Sequence, residues 1–242
     1  MSIFNQILNN ITSEYCNLYL YRNQEVNELV ATAIRDLSES NFIGDRDDQN
    51  IPIPWDPSKF KTPASSEVNN DEIDNKLPFK LEGFMETPES EWELRHVLSG
   101  GSFLGKSCQC ALILAKQSKE LQRQAYFFGK HLSLAWQASM DLEPFTSSRL
   151  PFDAKISLIS APVLFHLEHD PSIYNEIKKG TKSVEDIDFH LIHKEIFKGP
   201  ALKQTRELQS KHSFIALNEL RKFPASEART ALENIILAKQ EK

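Results

Sequence analysis

The amino-acid sequence predicts an all-α fold, and three observations lead to this prediction. Apolar residues recur three and four positions apart in several long stretches, which is the spacing of a helix with one buried face. No stretch alternates apolar and polar residues as a half-buried strand does. Hydrophobic residues make up 40% and charged residues 26% of the 242, a composition typical of a globular protein with a core.

The first element is an amphipathic helix over residues 24–42, within an N-terminal helical region that spans residues 1–42. Apolar residues of this helix share one face and are expected to point inward: Val26, Leu29, Val30, Ala33, Ile34 and Leu37. We therefore predict that residues 1–42 contribute the N-terminal helices of a bundle, in the same domain as residues 91–242.

Residues 43–90 are predicted to form an acidic, proline-rich, flexible loop. Between Asn41 and Ser90 there are 11 acidic and 5 basic residues, and the difference of −6 equals the net charge of the whole chain. Prolines interrupt every helical pattern here. The fragment DEID, Asp71–Asp74, resembles an aspartate-rich metal motif. Its carboxylates share no helix face among these breakers, so we interpret it as solvated loop.

Helical patterns resume in the first half of the 91–242 region. They cover residues 91–117, with an interruption at Gly100-Gly101. A stripe from Leu121 to Ser139 predicts the next helix, which Pro144 ends. A third apolar run covers residues 152–169, and Pro162 inside it predicts a kink.

Three further helices are predicted in the second half of the same region. Ser183 caps the first of them, with Glu185 and Asp186 near its positive end. The second runs from about Ala201 to Lys222. Ser226 caps the last helix, whose inward residues are expected to be Leu232, Ile235 and Ile236.

Several functional classes are disfavoured by the sequence. It has no dense cluster of lysine and arginine, which argues against nucleic-acid binding. No apolar run approaches the roughly 18 residues of a membrane span, so we predict no transmembrane segment. Cys16, Cys108 and Cys110 do not have the spacing of a zinc site or of a disulfide framework, and we interpret them as buried thiols.

Four motifs then carry a resemblance to a known family. In order along the chain they are Ser107-Cys108 with Ala111; Gly129-Lys130-His131-Leu132 followed by Ala135-Trp136-Gln137; Ala161-Pro162-Val163-Leu164-Phe165; and FPASEARTALENIILA, residues 223–238. Together they resemble the trans-polyprenyl diphosphate synthase family over about residues 24–42 and 92–239. The resemblance implies an isoprenoid-synthase-type helical bundle, here lacking its N-terminal helices.

The chemistry of that family shows which residues matter. Its members hold Mg²⁺ between two aspartate-rich motifs, so that an allylic diphosphate can ionise and isopentenyl diphosphate can attack. Residues 140–144 stand where the second motif is expected, but only Asp141 matches, because Met140 and Pro144 have no ligating side-chain group. Ser99-Gly100 replaces the family's Lys-Thr pair at the diphosphate. The first motif would lie upstream of residue 1, so we expect this chain to have no catalytic residue and no metal site.

The resemblance therefore implies a non-catalytic, regulatory subunit of a heteromeric polyprenyl (decaprenyl-type) diphosphate synthase, serving ubiquinone synthesis. A catalytic subunit would be its partner in a hetero-oligomer such as a heterotetramer. That partner would bind the Mg²⁺, and this chain would bind no cofactor. The implied location is the mitochondrion, although no transit peptide is visible, since Glu14 precedes the first basic residue, Arg22.

Two alternatives remain open at this stage. The chain could be a helical interaction protein, or a truncated isoform, without any role in prenyl synthesis. It could also be an active homomeric transferase, although the ligands that such an enzyme needs are missing. Binding to a prenyl synthase would separate the first alternative from the subunit hypothesis, and elongation by the chain alone would support the second.

Some other residues have simpler interpretations. The pairs His166/His169 and His190/His193 have helical metal spacing but lack a third ligand, so we interpret them as ordinary polar positions. Arg229 and Glu233 lie one turn apart and predict a surface ion pair. Asp141 itself is readily explained as a polar residue at the end of its helix.

Overall fold

A computed structural model describes residues 23–57 and 87–238, and these residues contain α-helices and no β-strand. The helices are α1 (Gln24–Glu39), α2 (Pro88–His96), α3 (Ser102–Leu114), α4 (Lys119–Leu142), α5 (Ala161–His169), α6 (Ile173–Lys179), α7 (Phe189–Lys198), α8 (Ala201–Arg221) and α9 (Glu227–Leu237). The all-α prediction is confirmed. Cys16 and Asp71–Asp74 lie outside the described residues, and the predicted division of the chain at residues 42 and 90 stays a prediction.

Helix α4 lies at the centre of the bundle, between α3 and α8. Two glycines allow α3 and α4 to cross closely. A Cβ atom on Gly129 would come within 2.7 Å of the carbonyl oxygen of Leu104, and one on Gly105 within 2.8 Å of the carbonyl oxygen of Tyr126. The glycine of the G-K-H-L motif is therefore explained by helix packing.

Helix α1 packs against α3 through a narrower face than the sequence predicts. Val26, Leu29 and Ala33 are buried as expected, but Ile34 is 56% and Leu37 43% exposed. The fourth inward position is Asp36, because its carboxylate is stabilised by buried cationic and hydroxyl partners on α3: the ammonium of Lys106 and the hydroxyl of Ser102 each lie 2.5 Å from Oδ2.

The predicted interruption at Gly100-Gly101 is wrong. Residues Val97–Gly101 form a π-helical turn that connects α2 directly to α3. The combined segment Pro88–Leu114 is long and apolar enough, by length and composition alone, to cross a membrane. It lies against α1, α4 and α5 and buries the Glu91–Arg95 ion pair (2.7 Å), as a core helix does. The absence of a transmembrane segment stays a prediction.

Part of the predicted acidic loop is attached to α2 through Arg95. Its guanidinium donates hydrogen bonds to the carbonyl oxygens of Ile43 (2.8 Å) and Ile53 (3.0 Å). Glu91, the ion-pair partner of Arg95, also accepts a hydrogen bond from the backbone N–H of Trp55 at 3.1 Å. Buried side chains of one helix thus hold residues 43–55 against the bundle.

Two further predictions about helix ends need correction. Pro162 does not kink a helix, because residues 152–160 are not helical and α5 begins at Ala161; in the first turn, proline's missing N–H costs no hydrogen bond. Ser183 caps only a short 3-10 turn, whereas Asp188 caps α7.

The last two helices largely follow the prediction. Helix α8 has the expected range, and Ser226 caps α9 by accepting a hydrogen bond from the N–H of Arg229. Of the three residues expected to point inward from α9, Ile236 is buried and Leu232 half-buried, but Ile235 is 47% exposed.

Candidate functional site

Asp141, the one aspartate of the degenerate motif, lies in the last turn of α4 and points into the core. Its Oδ2 atom accepts hydrogen bonds from the indole N–H of Trp92 (2.8 Å) and the backbone N–H of Ala161 (2.9 Å). Its Oδ1 atom accepts one from the amide of Gln137 (2.8 Å). The side chain therefore joins α2, α4 and the first residue of α5.

The electrostatic setting of Asp141 is that of a buried structural carboxylate. Burial raises its pKa from 3.8 to about 6, although the three hydrogen bonds act in the opposite direction. A carboxylate offers about four lone-pair directions, and three are already used by protein donors. Few acceptor sites therefore remain for a metal ion.

The other two positions of the degenerate motif are directed away from Asp141. Met140 is 46% exposed on the surface of α4. Pro144 lies in the 3-10 turn Glu143–Phe145 that follows α4. Its carbonyl oxygen is 3.1 Å from Nε2 of His193, whose ring stacks on Phe145 at 5.0 Å. The segment that would hold metal in an active enzyme is here attached to α7.

Ser99 and Gly100, the predicted diphosphate-contact positions, lie in the π-helical turn and are not brought together with Asp141. Ser99 is exposed, and a Cβ atom on Gly100 would meet the hydroxyl of Ser133 on α4 at 3.3 Å. Ser133 precedes Met140 by seven residues, which is about 10 Å along a helix. Among these residues there is no cationic group for a diphosphate.

The described residues do not fit a magnesium ion. Mg²⁺ prefers about six oxygen ligands in an octahedron, several of them water. Within residues 23–57 and 87–238, no group of three or more His, Cys, Asp or Glu is placed to hold a metal. His169 pairs instead with Gln204 (3.0 Å) and His190 lies against Phe152 (6.5 Å between ring centres).

Residues of the other motifs contribute to the core. Cys108 packs with Phe128 and neighbours on α8, and burial raises the pKa of its thiol to about 12. Cys110 is buried against α1 residues. Cys110 thus agrees with the interpretation as a buried thiol, whereas Cys108 is only half-buried. The predicted ion pair of Arg229 with Glu233 is present at 3.3 Å.

A second buried polar cluster was not predicted from the sequence. Nδ1 of His131 lies 2.9 Å from Nδ1 of His212, and Nε2 of His212 lies 3.3 Å from Glu93. The ring of His212 also stacks on Trp92, the donor to Asp141, at 5.9 Å. His131 belongs to the G-K-H-L motif, but its partner is 81 residues away, so no local pattern could have indicated the contact.

Comparisons with known proteins agree with this fold. No family model matches the chain. It is 33% identical to the human All trans-polyprenyl-diphosphate synthase PDSS2 over 150 residues, which are 62% of this chain and 38% of that protein. It is 28% identical to the mitochondrial hexaprenyl pyrophosphate synthase of Saccharomyces cerevisiae over 228 residues, covering 87% of this chain and 48% of the yeast protein. The chain thus spans half or less of the length of these relatives.

Solved structures show the same architecture. The medium/long-chain prenyl pyrophosphate synthase of Arabidopsis superposes with a TM-score of 0.63 at 18% identity, covering 91% of this chain and 66% of that one. The decaprenyl diphosphate synthase of Rhodobacter capsulatus also gives 0.63, at 13% identity, covering 98% and 62%. The resemblance predicted from the motifs is confirmed: the chain is similar in sequence to polyprenyl diphosphate synthases and has the fold of their solved structures.

Proposed function

We propose that this chain is a non-catalytic, regulatory subunit of a heteromeric all-trans polyprenyl diphosphate synthase of the decaprenyl type. The complex would make the ubiquinone side chain from an allylic diphosphate and isopentenyl diphosphate. A catalytic subunit would supply both aspartate-rich motifs and bind the Mg²⁺. The observation that carries the proposal is Asp141, whose carboxylate is committed to three hydrogen bonds within the fold.

Electrostatics supports a non-catalytic role. Ionisation of an allylic diphosphate leaves pyrophosphate, whose negative charge must be neutralised by metal ions and cationic side chains. In place of those groups, the chain offers a thioether at Met140, a buried carboxylate at Asp141 and an uncharged Ser99-Gly100 pair. Loss of a single stabilising donor commonly lowers turnover by about 10²–10³-fold, and here several are replaced at once.

Exposed apolar side chains support assembly with another subunit. Phe42 is 84% exposed just after α1, on which Ile34 and Leu37 also reach the surface. Covering such residues in a complex removes apolar area from water and stabilises the bound state. The mitochondrial names of fungal relatives support a mitochondrial location.

The test is co-expression with the catalytic synthase subunit of the same organism, followed by co-purification. Elongation of a labelled allylic diphosphate is then measured with Mg²⁺ and isopentenyl diphosphate for each chain alone and for the complex. We expect the chains to copurify and the complex alone to be fully active. Asp141→Asn, which keeps the shape of the side chain, should leave the activity of the complex within about twofold, whereas loss of a catalytic ligand would lower it about 10²-fold or more.

Two results would contradict the proposal. If the chains do not associate, the alternative of a helical interaction protein or a truncated isoform takes its place. If this chain elongates the substrate alone, and Asp141→Asn abolishes that activity, it is a transferase in its own right. In the second case the buried geometry of Asp141 would need a different explanation.

A further inference from the structure

Residues 43–55 form a compact loop, the strap, that lies against α2. Hydrogen bonds within the strap hold it in shape. The N–H of Asp47 donates to the carbonyl oxygen of Ile51 at 3.0 Å, and the carboxylate of Asp47 accepts the N–H of Ile51 at 2.7 Å. The N–H of Ile53 donates to the carbonyl oxygen of Asp45 at 3.0 Å. The strap is therefore a folded unit with its own contacts.

The ion pair of Glu91 and Arg95 connects both ends of the strap to α2. The guanidinium of Arg95 donates to the carbonyl oxygens of Ile43, the first strap residue, at 2.8 Å and of Ile53 at 3.0 Å. The carboxylate of Glu91 accepts the N–H of Trp55, the last strap residue, at 3.1 Å. Because the two side chains also bind each other at 2.7 Å, they act as a single latch.

Outside the latch the strap is thinly attached. Beneath it lies a small apolar cluster, in which Ile43 covers Leu94 and Leu98 of α2, and these two are 2% and 0% exposed. At the tip of the strap, the N–H of Asp48 donates to the carbonyl oxygen of Thr181 at 3.0 Å. Most strap residues are exposed or half-buried. A segment with few buried apolar contacts can open locally at a lower free energy than the whole fold needs to unfold.

The latch itself lowers the cost of opening. The side chains of Glu91 and Arg95 are 0% and 4% exposed, and burying two charges costs solvation free energy that their attraction only partly offsets. Burial raises the pKa of Glu91 above its ordinary value of 4.5, although Arg95 acts in the opposite direction. When the strap lifts, water replaces its backbone groups around both charges. The solvation that is regained offsets part of the hydrogen bonds that are lost.

We infer that the strap is a releasable cover, which opens as a unit while the helices stay folded and which has Glu91 and Arg95 as its latch. Opening removes Ile43 from Leu94 and Leu98 and so exposes an apolar face of α2. The inference does not depend on the proposed prenyl function, because it concerns this chain alone.

Amide hydrogen exchange of the full chain, resolved by NMR, tests this inference. The N–H groups of Trp55 and Asp48 are bonded to the bundle, so they report release of the strap. Those of Leu134 and Ala138 lie inside α4 and report global unfolding. We expect the two strap amides, corrected for intrinsic rates, to exchange at least about 100-fold faster than the two α4 amides. Equal protection of both pairs would overturn the inference.

The response to urea gives a second measurement that needs no mutation. Release of the strap exposes far less surface than global unfolding does. Low concentrations of urea should therefore accelerate exchange of the α4 amides steeply and that of the strap amides only slightly. The same steep dependence in both pairs would mean that the strap opens only with the whole fold, and would overturn the inference.

Gly44→Ala tests the latch without changing the ion-pair residues. Gly44 has a φ of +71°, and a Cβ atom there would overlap the guanidinium of Arg95. Arg95 can make room only by leaving its acceptors on the strap, so exchange at both Trp55 and Asp48 should accelerate at least about tenfold. Gln49→Ala changes an exposed residue of the same strap and should leave both rates within about twofold. Acceleration at Trp55 alone, at neither amide, or equally in this control would overturn the inference.

Discussion

The change Asp141→Ala removes the acceptor of three hydrogen bonds, so we expect it to destabilise the fold strongly. Gln137 is half-buried and can turn its amide to water, whereas the N–H groups of Trp92 and Ala161 lie in the core. A buried donor left without an acceptor costs about 1–3 kcal/mol, and each bond to a carboxylate contributes about 1.5–3 kcal/mol. Two such losses lower the free energy of unfolding by about 3–6 kcal/mol, a large part of the stability of about 5–15 kcal/mol that is usual for a domain.

Asp141→Asn is the matched control for this prediction. The amide oxygen of asparagine can accept both buried N–H groups, and Gln137 can rotate so that its oxygen accepts from the new amide. The substitution also removes the cost of burying a charge. We therefore expect the asparagine variant to unfold within about 1 kcal/mol of the parent chain.

Urea denaturation at pH 7, followed by tryptophan fluorescence and far-UV circular dichroism, measures both variants. The reasoning is refuted if Asp141→Ala costs less than about 1 kcal/mol, or if alanine and asparagine destabilise the chain equally. Either result would mean that the carboxylate does not hold α2, α4 and α5 together. A metal-binding role would instead make the asparagine variant deficient in Mg²⁺-dependent activity while its stability is unchanged.

Two further predictions concern buried titratable groups. Burial lowers the pKa of His96 from 6.5 to about 3 and that of His131 from 6.5 to about 2. Each neutral histidine therefore stabilises the fold above pH 6.5. As the pH falls below 6.5, the free energy of unfolding decreases by about 1.4 kcal/mol per pH unit for each of them. The pKa of Asp141 is raised from 3.8 to about 6, so below pH 6 the folded state takes up a proton that the unfolded state does not, and this stabilises the fold as the pH falls. Asp141→Asn removes this contribution and should make the loss of stability between about pH 6 and 4.5 steeper in urea titrations. An unchanged slope would contradict this prediction. Asp36→Ala leaves the ammonium of Lys106 buried without its carboxylate and should cost about 3–5 kcal/mol by thermal or urea unfolding. Adding Lys106→Met should restore part of that loss, whereas simple additivity in this double-mutant cycle would show that the two groups are not coupled.

Much of the fold was predictable because helical spacing, caps and breakers are local properties. The spacing in residues 24–42 predicted α1, and its first inward positions are correct. Ile34 and Leu37 were placed wrongly because the apolar stripe is wider than the face that α3 covers, and a sequence does not show how much of a stripe its neighbour reaches. Pro162 was misplaced for a similar reason, since a proline inside an apolar run also fits the first turn of a helix that begins later.

The candidate site was predictable only as a set of missing groups. That Met140 and Pro144 cannot ligate metal follows from their chemistry alone. The orientation of Asp141 does not, because its donors Trp92 and Ala161 are 49 and 20 residues away along the chain. The His131–His212 contact is of the same long-range kind. Packing of distant helices decides whether a carboxylate in a last helical turn faces solvent or the core.

The start of α5 gives a physical reason why an aspartate suits this position without catalysis. A helix leaves its first N–H groups without partners inside the helix, and a preceding serine commonly accepts one of them. Ser160 does not, because its hydroxyl donates back to the carbonyl oxygen of Ser157 at 2.7 Å. Asp141 accepts the N–H of Ala161 instead, and its negative charge lies at the positive end of the α5 dipole. The same carboxylate orientation that caps α5 turns its oxygens away from the surface, so capping and metal binding are competing uses of this side chain.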